Sequence, residues 1–196
     1  FIDSDDLWVK NKLQTQISMM KKFNYNISHT AYYIIDDKDK KLSLRTSKTL
    51  FFDDLINSCD IGLSTVLIKT NLIKKHLFKN ITTKEDYVCW LSIIKEINSL
   101  YGDSKEVLFY RDRKKSLSSN MIEKFVNAFK VYYIYENKTL ITSINRTLIL
   151  SFYWILKTYS IIFKNPDIKN FEYLSSIKNL KFDKPFILSA LNMASL

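Results

Sequence analysis

The stretch FIDSDDLWVKNKLQTQI (residues 1–17) sets three carboxylates, Asp3, Asp5 and Asp6, directly behind an apolar pair and ahead of a lysine-rich segment. Carboxylates this crowded repel one another unless a cation joins them. A helix N-cap accounts for one, Asp5 or Asp6, because Asp suits that position and negative charge suits a helix N-terminus. Three exceed that need. Asp3 and Asp5, two residues apart at the end of a strand, offer hard oxygen ligands to a divalent cation that is shared with phosphate groups. A calcium-binding EF-hand loop needs a Gly for its sharp turn and a closing Glu, and here Leu7 and Trp8 follow instead.

The 196 residues suffice for one domain with a sizeable core, and 46% hydrophobic with 14% aromatic residues is a globular composition. Gly and Pro are scarce while Lys, Asn, Ile, Phe and Tyr abound, so the net charge of +10 partly reflects A/T-rich codons. A basic balance favours phosphate-bearing ligands or an anionic membrane surface. Cys59 and Cys89, thirty residues apart, form no metal spacing with His29 and His76, and buried thiols in a reducing, cytoplasmic compartment are expected. Phe1 and Ile2 read as the end of a strand begun upstream, so the chain is expected to be part of a longer protein.

Leu13, Ile17 and Met20 recur at helical spacing, with Lys10, Lys12, Lys21 and Lys22 on the wet side, which predicts a helix over 7–23. ISHTAYYIID (27–36) reads as a strand closed by the turn DDKDKK, 48–57 is mixed, 62–69 is a buried strand or short helix, and 71–77 a short helix. Tyr87, Trp90, Leu91, Ile94 and Ile97 share one face of a helix capped by Thr82 or Thr83 and ended before Gly102. A strand over 105–111, a polar loop, and helices over 120–136 and 139–163 follow. Alternating strands and helices point to α/β. The apolar run 146–163, interrupted by Lys157, fits an interfacial helix with Tyr153 and Trp154 at headgroup level and a packed core helix equally well. Residues 164–196 have no assigned structure.

Five motifs in order give this pattern a family likeness: FIDSDDLWVKNKLQTQI, TAYYIID (30–36), GLSTVLI (62–68), EDYVCWL (85–91) and YRDRKKSLSS (110–119). Together they resemble the bacterial family 2 glycosyltransferases from the DxD motif onward, over residues 1 to about 160. The resemblance implies a GT-A fold, a Rossmann-like α/β/α sandwich, with its metal and acceptor half in residues 1–120, helices over 121–163, and a nucleotide-binding half upstream.

By that resemblance Asp3 and Asp5 would hold Mn²⁺ or Mg²⁺ on a nucleotide-diphosphate sugar, and Asp86 would be the general base of an inverting displacement. A competing structural role exists for Asp86, since Thr83-x-x-Asp86 and Thr82-x-x-Glu85 both fit a capping box. Arg111, Arg113, Ser116 and Ser118 would form a loop over the diphosphate, with Lys114 and Lys115 as alternatives to Arg113, against the plainer reading of a solvated basic turn. Tyr32, Tyr33, Ser64 and Glu85 would border a saccharide or lipid-linked acceptor, although of two adjacent strand tyrosines only one can face a cleft. Trp90, His29 and His76 are expected to be structural. Polysaccharide or lipopolysaccharide synthesis at the cytoplasmic membrane is the implied setting, and residues 1–196 alone are expected to transfer little sugar. A basic nucleic-acid-binding module would need its cations gathered on one face with stacking aromatics, whereas here the lysines are dispersed, so no nucleic acid is expected. A degenerate, non-catalytic transferase is disfavoured because Asp3, Asp5, Asp86 and Arg111 all stand.

Overall fold

The computed structural model describes residues 1–112 and 121–164. Residues Phe1–Lys164 make one compact unit of mixed α/β structure. Two long strands carry it, β2 (Ile27–Ile35) and β6 (Ser99–Arg111), which run parallel side by side. β1 (Leu7–Trp8) extends β6 on its other side, and β3 (Lys41–Arg45) extends β2, both antiparallel. The two-residue strands β4 (Leu50–Phe51) and β5 (Leu67–Ile68) pair antiparallel with β6 and β2. This six-stranded mixed sheet is the α/β architecture that the sequence implied.

Helix α1 (Lys12–Phe23) is shorter than expected; it buries Met20 and exposes Lys21 and Lys22 as its spacing predicted, but its first turns face the other way. Its first residues, Leu7 and Trp8, are β1, and Asn11 rather than Asp5 or Asp6 stands at its N-cap. Lys12 and Gln16 are each only 1% exposed, while Leu13 and Ile17 face outward. A hydrogen-bonded network explains the burial of Lys12 and Gln16. Gln16 Nε2 donates to Ser28 Oγ and to the Thr65 carbonyl, and Lys12 Nζ donates to Gln16 Oε1 at 2.7 Å and lies 4.2 Å over the Trp8 ring. Buried polar groups are tolerated when each finds such a partner. Burial still lowers the Lys12 pKa to about 8.

The main core lies between the sheet and α4 (Glu85–Ile97). Tyr87, Trp90, Leu91 and Ile94 point inward as their spacing predicted, against Ile27, Leu50, Val66 and Leu100. α2 (Phe52–Leu55) and a π-helical turn, Val131–Tyr135, close it, where the Tyr87 hydroxyl donates to the Leu55 carbonyl and the Tyr132 hydroxyl to that of Ile56. A 3₁₀ turn, Leu63–Thr65, and α3 (Thr70–Ile73) fill the 62–77 region. Cys59 and Cys89 are not bridged. His76 shares hydrogen bonds with Ser92 and Glu96, and His29 with Ser47, so both histidines are structural.

Gly102 in β6 has a packing reason. A Cβ there would stand 2.2 Å from the Lys48 carbonyl oxygen, which is backbone and cannot swing away. Gly102→Ala is expected to cost about 1–3 kcal/mol, read as a lower urea midpoint at unchanged slope; a wild-type midpoint would contradict the close approach.

Helices α5 (Met121–Lys130) and α6 (Leu140–Lys164) end the described chain. α6 buries Ser143 and Thr147, whose hydroxyls donate to the carbonyls four residues earlier, those of Thr139, just before the helix, and Ser143. Ile144, Leu148 and Ile141, the last 74% exposed, face outward, as do Phe125 and Val126 of α5. No helix among the described residues is long and apolar enough to cross a membrane.

Candidate active site

Asp3, Asp5 and Asp6 sit in the segment ahead of β1, and a turn rather than a strand end presents them. The segment is fixed from three sides. Ser64 Oγ accepts the Asp3 N–H at 2.9 Å, and the Ser64 carbonyl accepts the Trp8 indole N–H at 2.9 Å. Asp6, which is buried, accepts the Arg111 N–H with Oδ1 at 3.0 Å, while its Oδ2 meets no geometric hydrogen-bond partner among the described residues. Phe1 packs against Phe78 and against Trp90 of α4, at ring separations of 5.3 and 6.2 Å.

The Phe1–Trp90 contact brings the acidic segment to the start of α4. Trp90 lies four residues beyond Asp86, hence on the same side of the helix. Asp86 is pushed up to about 6, first by burial and further by the charges of Glu85 and Asp3, while the Tyr87 N–H, donated to its Oδ1 at 2.7 Å, works the other way. Burial also raises Asp3 and Asp6; Asp5 adds to both, and the Ser64 hydroxyl opposes both. These carboxylates therefore share one electrostatic neighbourhood.

The capping-box reading of this helix fails. Lys84 is its N-cap, in the left-handed region at φ 70°, with no side-chain cap hydrogen bond. Thr83 is buried and its Oγ1 instead accepts Asn127 Nδ2 of α5 at 3.0 Å.

Arg111 closes the site differently from the sequence expectation of a guanidinium meeting a diphosphate. Its planar fork meets three protein acceptors: Nε the Asp5 carbonyl, Nη1 the Asp36 carbonyl, and Nη2 the Asp39 carboxylate at 2.7 Å. It clasps the acidic segment to the turn after β2, which its multiple fixed donors allow and a lysine would not. Ser64, expected at the acceptor, is instead buried under the acidic segment. Tyr32 and Tyr33 part as alternation requires: Tyr32 lies edge-on to Tyr110 and against Gly62, with Asp6 among the charges that raise its pKa, whereas Tyr33 stacks on Phe109 with Lys41 3.8 Å from its ring centre. Only Tyr32 stands on the carboxylate side. Glu85 is half-buried beside Asp86. Arg113, Lys114, Lys115, Ser116 and Ser118 lie outside the described residues.

The sequence reading had not foreseen the buried Lys12–Gln16 pair, nor Lys84, whose charge acts on Asp86 and whose place next to Glu85 was the available signal.

The donor set suits a shared cation better than a caged one. Among the described residues no three His, Cys, Asp or Glu side chains group to hold a metal alone. Two mutually repelling carboxylates fit an ion that completes its shell with water and phosphate oxygens, as Mg²⁺ commonly does.

No protein-family model matches the chain. It is 35% identical over 136 residues to UDP-Glc:alpha-D-GlcNAc-diphosphoundecaprenol beta-1,3-glucosyltransferase WfgD of Escherichia coli, which covers 67% of this chain and 52% of that protein. The putative teichuronic acid biosynthesis glycosyltransferase TuaG of Bacillus subtilis is 31% identical over 138 residues, 69% of this chain and 54% of TuaG. An uncharacterized glycosyltransferase of Haemophilus influenzae is 30% identical over 162 residues, 82% of this chain and 62% of that protein. Its relatives are glycosyltransferases. The chain spans about half the length of WfgD and TuaG.

Proposed function

We propose that this chain belongs to an inverting, family 2, GT-A glycosyltransferase that moves a sugar from a nucleotide-diphosphate donor to a lipid-linked saccharide in cell-envelope polysaccharide synthesis. The observation that carries the reading is the meeting of the Asp3–Asp5 segment with Asp86 at the start of α4. Inverting transfer needs a base behind the attacking hydroxyl and charge neutralisation at the leaving diphosphate, and here a raised-pKa carboxylate stands beside a carboxylate pair.

In this reading Asp86 takes the proton from the acceptor hydroxyl as its oxygen bonds to the anomeric carbon and the nucleoside diphosphate departs. Asp3 and Asp5 would hold Mn²⁺ or Mg²⁺, which when bound would supply positive charge at the leaving diphosphate. Arg111 and Ser64 keep the two carboxylates in place, and Tyr32 offers an aromatic edge toward the acceptor. The names of WfgD and TuaG, which specify a GlcNAc-diphosphoundecaprenol acceptor and teichuronic acid synthesis, support a lipid-linked acceptor and an envelope polymer. The exposed apolar residues of α5 and α6, in a region where α6 carries no acidic residue, suit peripheral contact with the cytoplasmic membrane.

The test is transfer by the full-length protein from radiolabelled UDP-sugars to a synthetic GlcNAc-diphosphate-lipid. A disaccharide product whose new linkage has the opposite anomeric configuration from the donor, read by NMR, is expected. Retention of configuration would eliminate the single-displacement role of Asp86.

A further inference from the structure

α6 presents its apolar side to solvent and its polar side to the protein. Among its described side chains the exposed large apolar residues are Leu140, Ile141, Ile144, Leu148, Ile149 and Tyr153, and Asn145 is the one polar residue exposed with them. These positions advance by four, which stacks them in one stripe along roughly 20 Å of helix. Facing inward are Ser143 and Thr147, both with no exposure, and the half-buried Arg146, whose guanidinium donates to Asn57 Oδ1. A surface helix of a globular protein has the reverse arrangement. The inversion is tolerated because main-chain carbonyls satisfy both buried hydroxyls. An outward apolar stripe of this kind marks an interaction surface.

The charges around the stripe select its occupant. Residues 121–164 carry Lys124, Lys130, Lys138, Arg146, Lys157 and Lys164 against Glu123 and Glu136, and α6 itself has no acidic residue. Glu136 is withdrawn from the surface, its side chain 4% exposed and paired with Lys95 at 2.7 Å. Tyr133 and Tyr153, both exposed, bracket the apolar residues in the chain, with Lys130 and Lys138 to either side of the first and Lys157 four residues after the second. Amphipathic aromatic rings and long basic stems are the side chains that settle at the headgroup level of a bilayer. A second copy docked stripe to stripe would bring two cationic segments together, a cost that anionic headgroups turn into a gain.

We propose that the outward stripe of α6 seats the protein on an anionic lipid surface, with the helix axis lying in the plane of the headgroups. The helix lies on the bilayer rather than through it, since no helix among the described residues is long and apolar enough to cross one. That a lipid-linked acceptor is met on this surface rests on the transferase reading; the lipid surface itself does not.

Flotation of the full-length protein with vesicles tests the surface independently of activity. Binding is expected to vesicles of phosphatidylethanolamine and phosphatidylglycerol, and about tenfold less to phosphatidylcholine alone or at high salt. The double variant Ile144→Gln, Leu148→Gln should bind the anionic vesicles about tenfold or more weakly. It should melt near wild type, because both side chains already face water. Ile144→Leu, Leu148→Ile should bind as wild type. Absence of binding to anionic vesicles, or equal binding by the glutamine variant, overturns the proposal, as does a dimer abolished by that variant in place of vesicle binding. In transfer assays the glutamine variant should keep wild-type rates on a short-chain, water-soluble acceptor and lose about tenfold on the same acceptor embedded in anionic vesicles. An equal loss on both acceptors would overturn the surface role. Stripe-dependent vesicle binding by a protein that transfers no sugar would support the surface and count against the transferase reading alone.

Discussion

Asp86→Asn should lower kcat for sugar transfer by about a thousandfold, the middle of the range expected for a positioned general base, while the donor KM should stay near wild type. Asn keeps the shape and can still accept the Tyr87 N–H, so the start of α4 is preserved. What it lacks is a lone pair basic enough to take the acceptor proton. Because burial pushes Asp86 up to about 6, wild-type kcat should rise with pH through that value and level off above it. The variant should lose this limb.

Stability should move the other way. The folded-state value of about 6 exceeds the ordinary 3.8, so the folded chain holds this proton more tightly than the unfolded chain. Stability is then lost as pH rises between those values, and above them the half-buried carboxylate carries a penalty of up to roughly 3 kcal/mol, less wherever solvent screens it. Asp86→Asn removes that penalty and should melt higher at pH 7. A variant both more stable and inactive is what a carboxylate kept buried for chemistry produces. Activity within a few-fold of wild type, or a melting point that falls with activity, would leave Asp86 as a structural residue.

The parts of this molecule that could be read from sequence are those where one physical effect dominates. On α4 apolar burial dominates, and Tyr87, Trp90, Leu91 and Ile94 follow helical spacing into the core. The alternation of Tyr32 and Tyr33 across β2 is equally direct. α1 obeys the same rule at Met20 and breaks it in its first turns, because a network through Gln16, Ser28 and Thr65 holds Lys12 and Gln16 inside, while Leu13 and Ile17 stay outside. Periodicity counts apolar residues and is blind to a long-range polar partner. β1 is two residues long, too short for any pattern, and exists because β6 offers it an edge. The grouping of Asp3 with Asp86 depended on motif order, but Arg111 as a clasp depended on Asp36 and Asp39, which are more than seventy residues away in sequence. α6 shows the converse: its composition left an interfacial and a core helix equally open, and the structure has it bury Ser143 and Thr147 while exposing Ile141, Ile144 and Leu148.

Asp3→Ala should reduce kcat/KM by at least about a hundredfold and shift the Mn²⁺ or Mg²⁺ dependence to higher concentration, with chelation silencing the wild-type protein. The substitution is clean because the tether of this segment is a main-chain one: the Asp3 N–H donates to Ser64 Oγ, and alanine keeps that donor. Loss of the carboxylate also relieves a repulsion, since Asp5 and partial burial both raise Asp3. Mutual repulsion of this kind is relieved by a cation and otherwise by protonation, so a fold that keeps Asp3 and Asp5 together at neutral pH is poised for the first. Asp3 also acts at a distance, because its charge helps to raise Asp86. The residual activity of Asp3→Ala should therefore show its acid limb at lower pH than wild type, an effect that simple damage to the fold would not produce. Full activity in EDTA, or a variant with wild-type metal dependence and an unmoved acid limb, would remove Asp3 from the metal site and leave the acidic segment as a structural turn held by Ser64 and Arg111.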